Sequence, residues 1–411
     1  MTDAPPAEPA AAAAPRHALR HRDFRLLFAG GSINSLGNGI APVALAFAVL
    51  DLGGDAAELG LVVGLYALTD VLVTLFGGVA GDRFSRRLVM TGSMLAAAVL
   101  QAAAGVSLLL DRSSIAVLAL LGAALGAITS LGNPSMSAIL GQTVPAETLG
   151  QAVVWRRLGS TSAAMIGSGI AGLLVATAGS GWALLADAAT FLAAGLLFAG
   201  IRVAHEPAPP GASLLGDVAD GFREVMRHTW LWLLIAQALL YHLVYGGVQG
   251  VLGPIVVGDD VSRAAWGYAL STLMAGFVVG GLVCTRWKPR HALSVGVWFL
   301  GLTAAFPLAI ALSDHLAVIL LGAFLHGFGL EIFSVGWDLS IQENIAPDKL
   351  ARVYSFDAVG SFVARPIGLA LTGPIAAAVG YDTWLITVAV VLVASVVAAT
   401  FSRDVRVLTR H

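Results

Sequence analysis

Charge is scarce in this chain. Only 12% of its 411 residues are Asp, Glu, Lys or Arg, against about 25% in an average soluble protein. So few charges leave a soluble fold of this length without a polar surface, which excludes a set of ordinary aqueous domains. Cysteine is nearly absent too. The single Cys284 excludes an intrachain disulfide and any cysteine-cluster metal site. No excess of one charge sign exists, since the formal net charge is −2, and no global field points to nucleic acid. The 48 glycines keep no triplet spacing, so a collagen-like chain is excluded. No Gly-x-x-x-x-Gly-Lys-Ser/Thr loop occurs, so this chain does not draw on a nucleotide. No Ser/His/Asp or histidine-cluster spacing marks an enzyme, a metal site or a cofactor.

What is present is apolar: 57% of the residues. A spanning helix needs roughly 20 mostly apolar residues, and twelve runs qualify, near 24–50, 59–80, 88–110, 114–140, 152–178, 182–201, 230–256, 264–285, 292–312, 316–341, 352–378 and 381–401. The expected fold is an all-α integral membrane protein in a lipid bilayer. Lys and Arg set its direction. With the N-terminus in the cytoplasm, all of the 23 basic residues except Arg112, Arg263 and Arg365 fall in cytoplasmic segments or at their helix ends. Both termini are then cytoplasmic. Lys288 and Lys349 are the only lysines, a composition of GC-rich genomes, which points to a bacterial plasma membrane.

The stretch 204–229 holds the Pro-rich Pro207 to Pro210 and an amphipathic segment, Leu214 to Met226, with Leu215, Val218, Phe222 and Val225 along one edge. It is expected to link two six-helix bundles, 23–203 and 230–403, between a disordered tail over 1–22 and a short tail over 404–411. The halves resemble each other: Leu121-Gly122-Ala123 and Leu321-Gly322-Ala323 occupy equivalent places, each followed by a Pro-containing turn. Repeated halves in a membrane protein point to a transporter with its site between them.

Between spans two and three lies Gly78-Val-Ala-Gly-Asp82-Arg83-Phe-Ser-Arg86-Arg87. This resembles the signature loop of the major facilitator superfamily, with Gly78, Asp82, Arg83, Arg86 and Arg87 matching and Ser85 in place of a glycine. Glycine permits a tight turn, and the carboxylate suits basic groups or a helix N-terminus. The resemblance implies a latch on the cytoplasmic side that engages span eleven. Asn133-Pro134, Asp187 to Phe191, Trp337-Asp338, Ser355 to Asp357 and Pro366 to Gly368 resemble the drug and siderophore exporter branch, to which macrolide and enterobactin exporters belong. Gly167 to Gly172 is similar to an antiporter motif, with Ser168 for its proline and Ala171 for one glycine.

Charges inside spans each need a reason, since one near the bilayer centre costs roughly 2.5–3.5 kcal/mol. Asp70 lies about 18 Å along its helix from Asp82, on a stripe with Tyr66, Thr74 and Gly77, and is expected to carry a proton. Glu331 and Arg365 reach the same depth counted from their shared turn, and are expected to pair, either as a static brace or as a pair opened during transport. Asp338 and Asp357 are expected to brace helices, Asp187 to bond backbone or a hydroxyl, and Arg156 and Arg157 to anchor span five at the interface. In the resembled family, spans one, four, seven and ten line the cavity. That implies a lining of Asn34, Asn38, Tyr66, Asn133, Tyr241, His242, Tyr245, Gln249 and His326, the histidines serving there or as packing residues. The resulting expectation is a monomeric, proton-coupled exporter of a small, partly apolar organic molecule. An uptake symporter on the same scaffold and a membrane-embedded sensor are the rivals.

Overall fold

The computed structural model describes residues 17–83, 85–202, 214–347 and 349–409; the side chains of 75–83, 133, 134, 137, 138, 214–220 and 351 lie outside that description. All regular elements among the described residues are helices. Twelve helical stretches are long and apolar enough to cross a membrane, and each coincides with an expected run. Spans 1 to 6 are Arg22–Asp51, Ala56–Arg83, Arg86–Leu109, Ile115–Ala138, Ala146–Thr177 and Ser180–Ala199. Spans 7 to 12 are Thr229–Asp260, Arg263–Arg286, Ala292–Leu312, Leu316–Asn344, Arg352–Val379 and Tyr381–Phe401.

Local chemistry fixes the ends. Ser85, Ser114 and Ser262 cap spans 3, 4 and 8 by accepting from the backbone N–H three residues on. Gly179 and Gly380 each take φ 93° between the fifth and sixth spans of their halves, a conformation open to glycine. The same turn at the same place in both halves strengthens their likeness. Three spans are interrupted: span 7 by a π-helical turn at Val248–Leu252 and span 9 by a 3-10 turn at Gly301–Ala304. Span 11 splits into Leu350–Phe362 and Arg365–Val379, because Pro366 has no N–H for the Phe362 carbonyl.

Spans 1 to 6 pack mainly on one another, as do spans 7 to 12. The halves join along two seams, span 5 against span 8 and span 2 against the second piece of span 11. Lipid supplies no hydrophobic drive for helix association, so close approach through small residues does the work. A Cβ on Gly60 would stand 2.5 Å from the Leu369 carbonyl oxygen, and one on Gly373 would press on that of Ala56. At the other seam, Gly172 and Gly267 lie against each other's backbone. Asp51, closing span 1, meets Arg263, opening span 8, and Arg263 also lies over the Phe47 ring at 5.2 Å. That partner explains a basic residue on the arginine-poor side.

All these contacts sit at one end of the bundle. One buried apolar cluster there crosses both halves, from Phe47 and Leu59 to Trp266, Phe306 and Leu369. Toward the other end the core divides. Phe24, Met90 and Phe198 belong to a cluster of the first half, and Leu231, Trp337 and Ile341 to a cluster of the second. The molecule is therefore a cleft, sealed at one end and parted at the other.

The linker helix, Leu214–Arg227, packs on the first piece of span 11 and on span 7. Glu224 anchors it, bonded to Lys349 at 2.8 Å and to Arg227 at 3.1 Å. The Lys349 hydrogen bond holds the Glu224 carboxyl below the usual carboxylate range.

Two expectations change. The tail expected over 1–22 becomes ordered before its end: Ala18–Arg20 form a 3-10 turn, and the Ala18 N–H reaches the Gln151 amide oxygen at 2.7 Å. The glycine turn expected at Gly78 is helix instead, since span 2 continues to Arg83 and Ser85 opens span 3. The side chains of Gly78, Asp82 and Arg83 lie outside the described residues, so the latch contact does too.

Candidate functional site

A cavity of about 340 Å³ opens between the spans of the first half and is closed on one side by spans 7 and 11. Its walls are mostly apolar, with a few polar groups converging. Asn34 and Asn38 come from span 1, Tyr66 and Asp70 from span 2, Gln101 from span 3 and Thr129 from span 4. Arg365 enters from the second half.

Close packing of spans 2 and 4 builds the acidic corner. A Cβ on Gly126 would sit 2.5 Å from the Tyr66 carbonyl oxygen, and the Thr69 hydroxyl donates across to Ala123 O at 2.8 Å. This approach places the buried Ser130 hydroxyl against the Asp70 carboxylate. The same hydroxyl lies 2.8 Å from Gly126 O. An ionised Asp70 can accept a hydrogen bond from Ser130; a protonated Asp70 can donate one to Ser130, which then donates to Gly126 O. Both states of the acid find a partner without moving a helix.

Arg365 begins the second piece of span 11, against Gly246 of span 7. Among the described residues it makes no ion pair. The expected pair with Glu331 does not form. Glu331 instead bonds Arg157 of span 5 at 2.7 Å, across the cleft from one half to the other. Glu331 faces span 8, beside Gly280 and Gly281, while Arg365 faces spans 2 and 7. Arg157, expected as an interfacial anchor, is thus a cross-half partner.

Of the expected lining, Asn34, Asn38 and Tyr66 reach this cavity. Asn34 Oδ1 is buried with no hydrogen-bond partner. Tyr241 and His242 line a separate chamber in the second half. His326 is locked in place: its Nδ1–H donates to Thr303 O at 2.8 Å, so Nε2 accepts from the Tyr241 hydroxyl at 2.8 Å. Tyr245 stacks on it at 4.2 Å. These two are packing residues rather than cavity wall. Gln249 lies in the π-helical turn of span 7, and the Asn133 side chain falls outside the described residues. Asp187 is fully buried and accepts from Gln101 Nε2 at 2.7 Å and from the Thr190 hydroxyl at 3.3 Å. Asp357 braces spans 10 and 11 by accepting from Trp337 Nε1 at 3.0 Å.

Gln101, Thr129 and Ser130 escaped the sequence reading, which weighed charges and histidines. Gln101 is the one amide in span 3, and the rule that polar groups in lipid need a reason would have found it.

Residues 27–297 match the family model described as Major Facilitator Superfamily. The multidrug efflux pump Tap of Mycolicibacterium fortuitum is 28% identical over 396 residues, covering 90% of this chain and 93% of that protein. The enterobactin exporter EntS of Escherichia coli O1:K1 / APEC is 27% identical, covering 87% of this chain and 86% of that one. Among solved structures, a POT family transporter in complex with 5-aminolevulinic acid superposes with a TM-score of 0.73 at 12% identity, covering 94% of this chain and 97% of that one. A twelve-span helical cleft, a mostly apolar cavity with a few converging polar groups beside its seam, and relatives matched over most of their length give one conclusion: the chain belongs to the major facilitator superfamily and is a membrane transporter, not an enzyme.

Proposed function

We propose that this protein exports a small, partly apolar organic molecule across a bacterial inner membrane in exchange for protons. Relatives named as an efflux pump and an exporter favour outward over inward transport. The arginine distribution favours cytoplasmic termini, which makes the parted end of the cleft the cytoplasmic one. The bundles are assigned to 23–203 and 230–403, joined by the linker 204–229, in a protein that works as a monomer.

Asp70 would be the proton site. In the inward-open form it gives its proton to the cytoplasm and is left ionised, with Ser130 donating to it. Arg365, sharing the cavity without an ion-pair partner among the described residues, supplies the countercharge for Asp70 or for a polar group of the substrate. When the cleft opens outward, Asp70 takes a proton and substrate is released. A membrane potential supplies about 2.3 kcal/mol per charge per 100 mV, enough for a gradient of tens-fold.

The observation that carries this reading is the cavity shared by Asp70 and Arg365 at the seam of the halves. Sensitivity profiling of a deletion strain against antibiotics, dyes and siderophores identifies a substrate. Flux of that compound is then followed in proteoliposomes under an imposed pH gradient. Export driven by inward proton flow is expected, and Asp70→Asn should abolish the pH drive while the protein still folds. Accumulation together with protons, or a variant that couples as well as wild type, would overturn the proposal.

A further inference from the structure

The second half holds its own chamber, about 260 Å³, among spans 7, 8, 9, 10 and 11. Its walls are aromatic and aliphatic, with Trp337, Phe333 and Phe362 beside Tyr241 and His242. Its one formally charged lining group is Asp357. Among the described residues no Lys or Arg lines it, His242 is its one nitrogen base, and Asp357 has no ion pair.

The hydrogen bonds around this chamber run in one direction. The Tyr241 hydroxyl donates to His326, and His242 Nδ1–H donates to Ala238 O at 2.8 Å. The Gln237 amide donates to Ser395 at 3.2 Å, and the Ser334 hydroxyl to Leu330 O at 2.9 Å. Trp337 Nε1 and the Ser361 hydroxyl both donate to Asp357, at 3.0 and 3.1 Å. Each polar residue in the wall therefore turns a donor back into the protein. What stays free is mostly acceptor capacity, beside the second N–H of the Gln237 amide. Each Asp357 oxygen takes one donor and has room for another. Gln237 Oε1 is buried with no partner, on a side chain whose residue is only 7% exposed. Aromatic faces complete the lining, and these attract cations.

We infer that this chamber is a binding subsite for an aromatic or alkyl organic cation, held by the Asp357 carboxylate and the rings of Trp337 and Phe362. An anion would meet the Asp357 carboxylate with no Lys or Arg in the wall to offset it. A cation in the chamber gives the ionised form of Asp357 a countercharge, which a neutral guest does not supply. The chamber thus differs from the first cavity, where Arg365 stands with Asp70. The inference rests on the transporter reading and narrows its substrate class to molecules carrying a positive charge.

The test is equilibrium binding of radiolabelled benzyltrimethylammonium to the full-length protein in nanodiscs, without any pH gradient. Asp357→Asn should weaken binding about tenfold or more, and Phe362→Ala about threefold. Unlabelled N,N-dimethylbenzamide, neutral and of similar size, should compete at least about tenfold less well than unlabelled benzyltrimethylammonium. Phe362 is 46% exposed, so its variant should fold even where the Asp357 variant does not. Wild-type affinity in a folded Asp357→Asn or in Phe362→Ala, or equal competition by the amide, would overturn the inference. Because no gradient is applied, Asp357-dependent binding beside failed proton-driven export would sink only the export reading. Working export with charge-blind binding would sink only this one.

Discussion

Gly267→Ala should shift the resting conformation of this transporter. An added Cβ would lie 2.5 Å from the Ser168 carbonyl oxygen and 2.7 Å from the Gly172 Cα, both backbone atoms of span 5. Ordinary contact begins at 3.4 Å, so spans 5 and 8 must part by about 0.9 Å, the difference of the two distances. Overpacking of this kind costs about 1–3 kcal/mol. The cost falls only on the form in which the seam is shut. The gain in helix propensity from glycine to alanine is shared by both forms and cancels. At 1.4 kcal/mol per decade, the ratio of open to shut seams should rise about 5- to 150-fold. Spin labels at Arg112 and His315, exposed in turns of the two halves at the sealed end, report it by pulsed electron resonance in a background without Cys284. The wild type should give mostly the short distance and the variant a large long-distance population. Gly92→Ala, where a Cβ meets nothing within 4 Å, should leave the distances unchanged. A Gly267→Ala distribution matching wild type would show that the seam is not a rigid contact, and the argument from close packing would fail.

Three further outcomes are expected. Asp70→Asn should bind substrate yet respond to no pH gradient, as read in proteoliposome flux. Arg157→Gln and Glu331→Gln should be non-additive, with a coupling of about 0.2–1 kcal/mol in thermal unfolding, since Arg157 is largely exposed while Glu331 is not; additive losses would deny the pair. Glu224 is held below its ordinary range, so its hold on the linker helix is complete above pH about 4.3 and is lost as pH falls through the lowered value. A spin label at Met226 should gain mobility on acidification through that window, while Glu224→Gln should be mobile throughout; a label indifferent to both would refute the anchor.

The twelve spans were legible because a 20-residue apolar run has few readings in a chain so short of charge, and arginine placement checks the count. Asp70 stood out because a charge in lipid demands a reason, while Asn34, Asn38 and Tyr66 were placed in a lining through the family resemblance; all four reach one cavity. The partner of Glu331 was not. Counting residues from a turn gives height in the membrane, but the direction a side chain faces depends on how spans 8, 10 and 11 rotate against one another. That rotation is set by Gly276 and Gly280 against span 10 and by Gly368 against Leu243, contacts invisible to a count. His326 looked like a cavity group for the same reason. Its bond to Thr303 comes from the irregular turn in span 9, which no apolar periodicity announces. The glycine signature at Gly78 looked like a turn because glycine allows one; the helix passes through it, as apolar neighbours on both sides favour.

The break in span 11 divides labour within a single helix. Above it, Arg365–Val379 belongs to the wall that meets span 2. Below it, Leu350–Phe362 carries Asp357 and leans on the linker helix. A missing backbone bond at Pro366 makes the joint softer than either piece. The upper lever can swing while its lower arm stays tethered through Lys349 to Glu224, so the two chambers, one on each side of the joint, need not reshape in step.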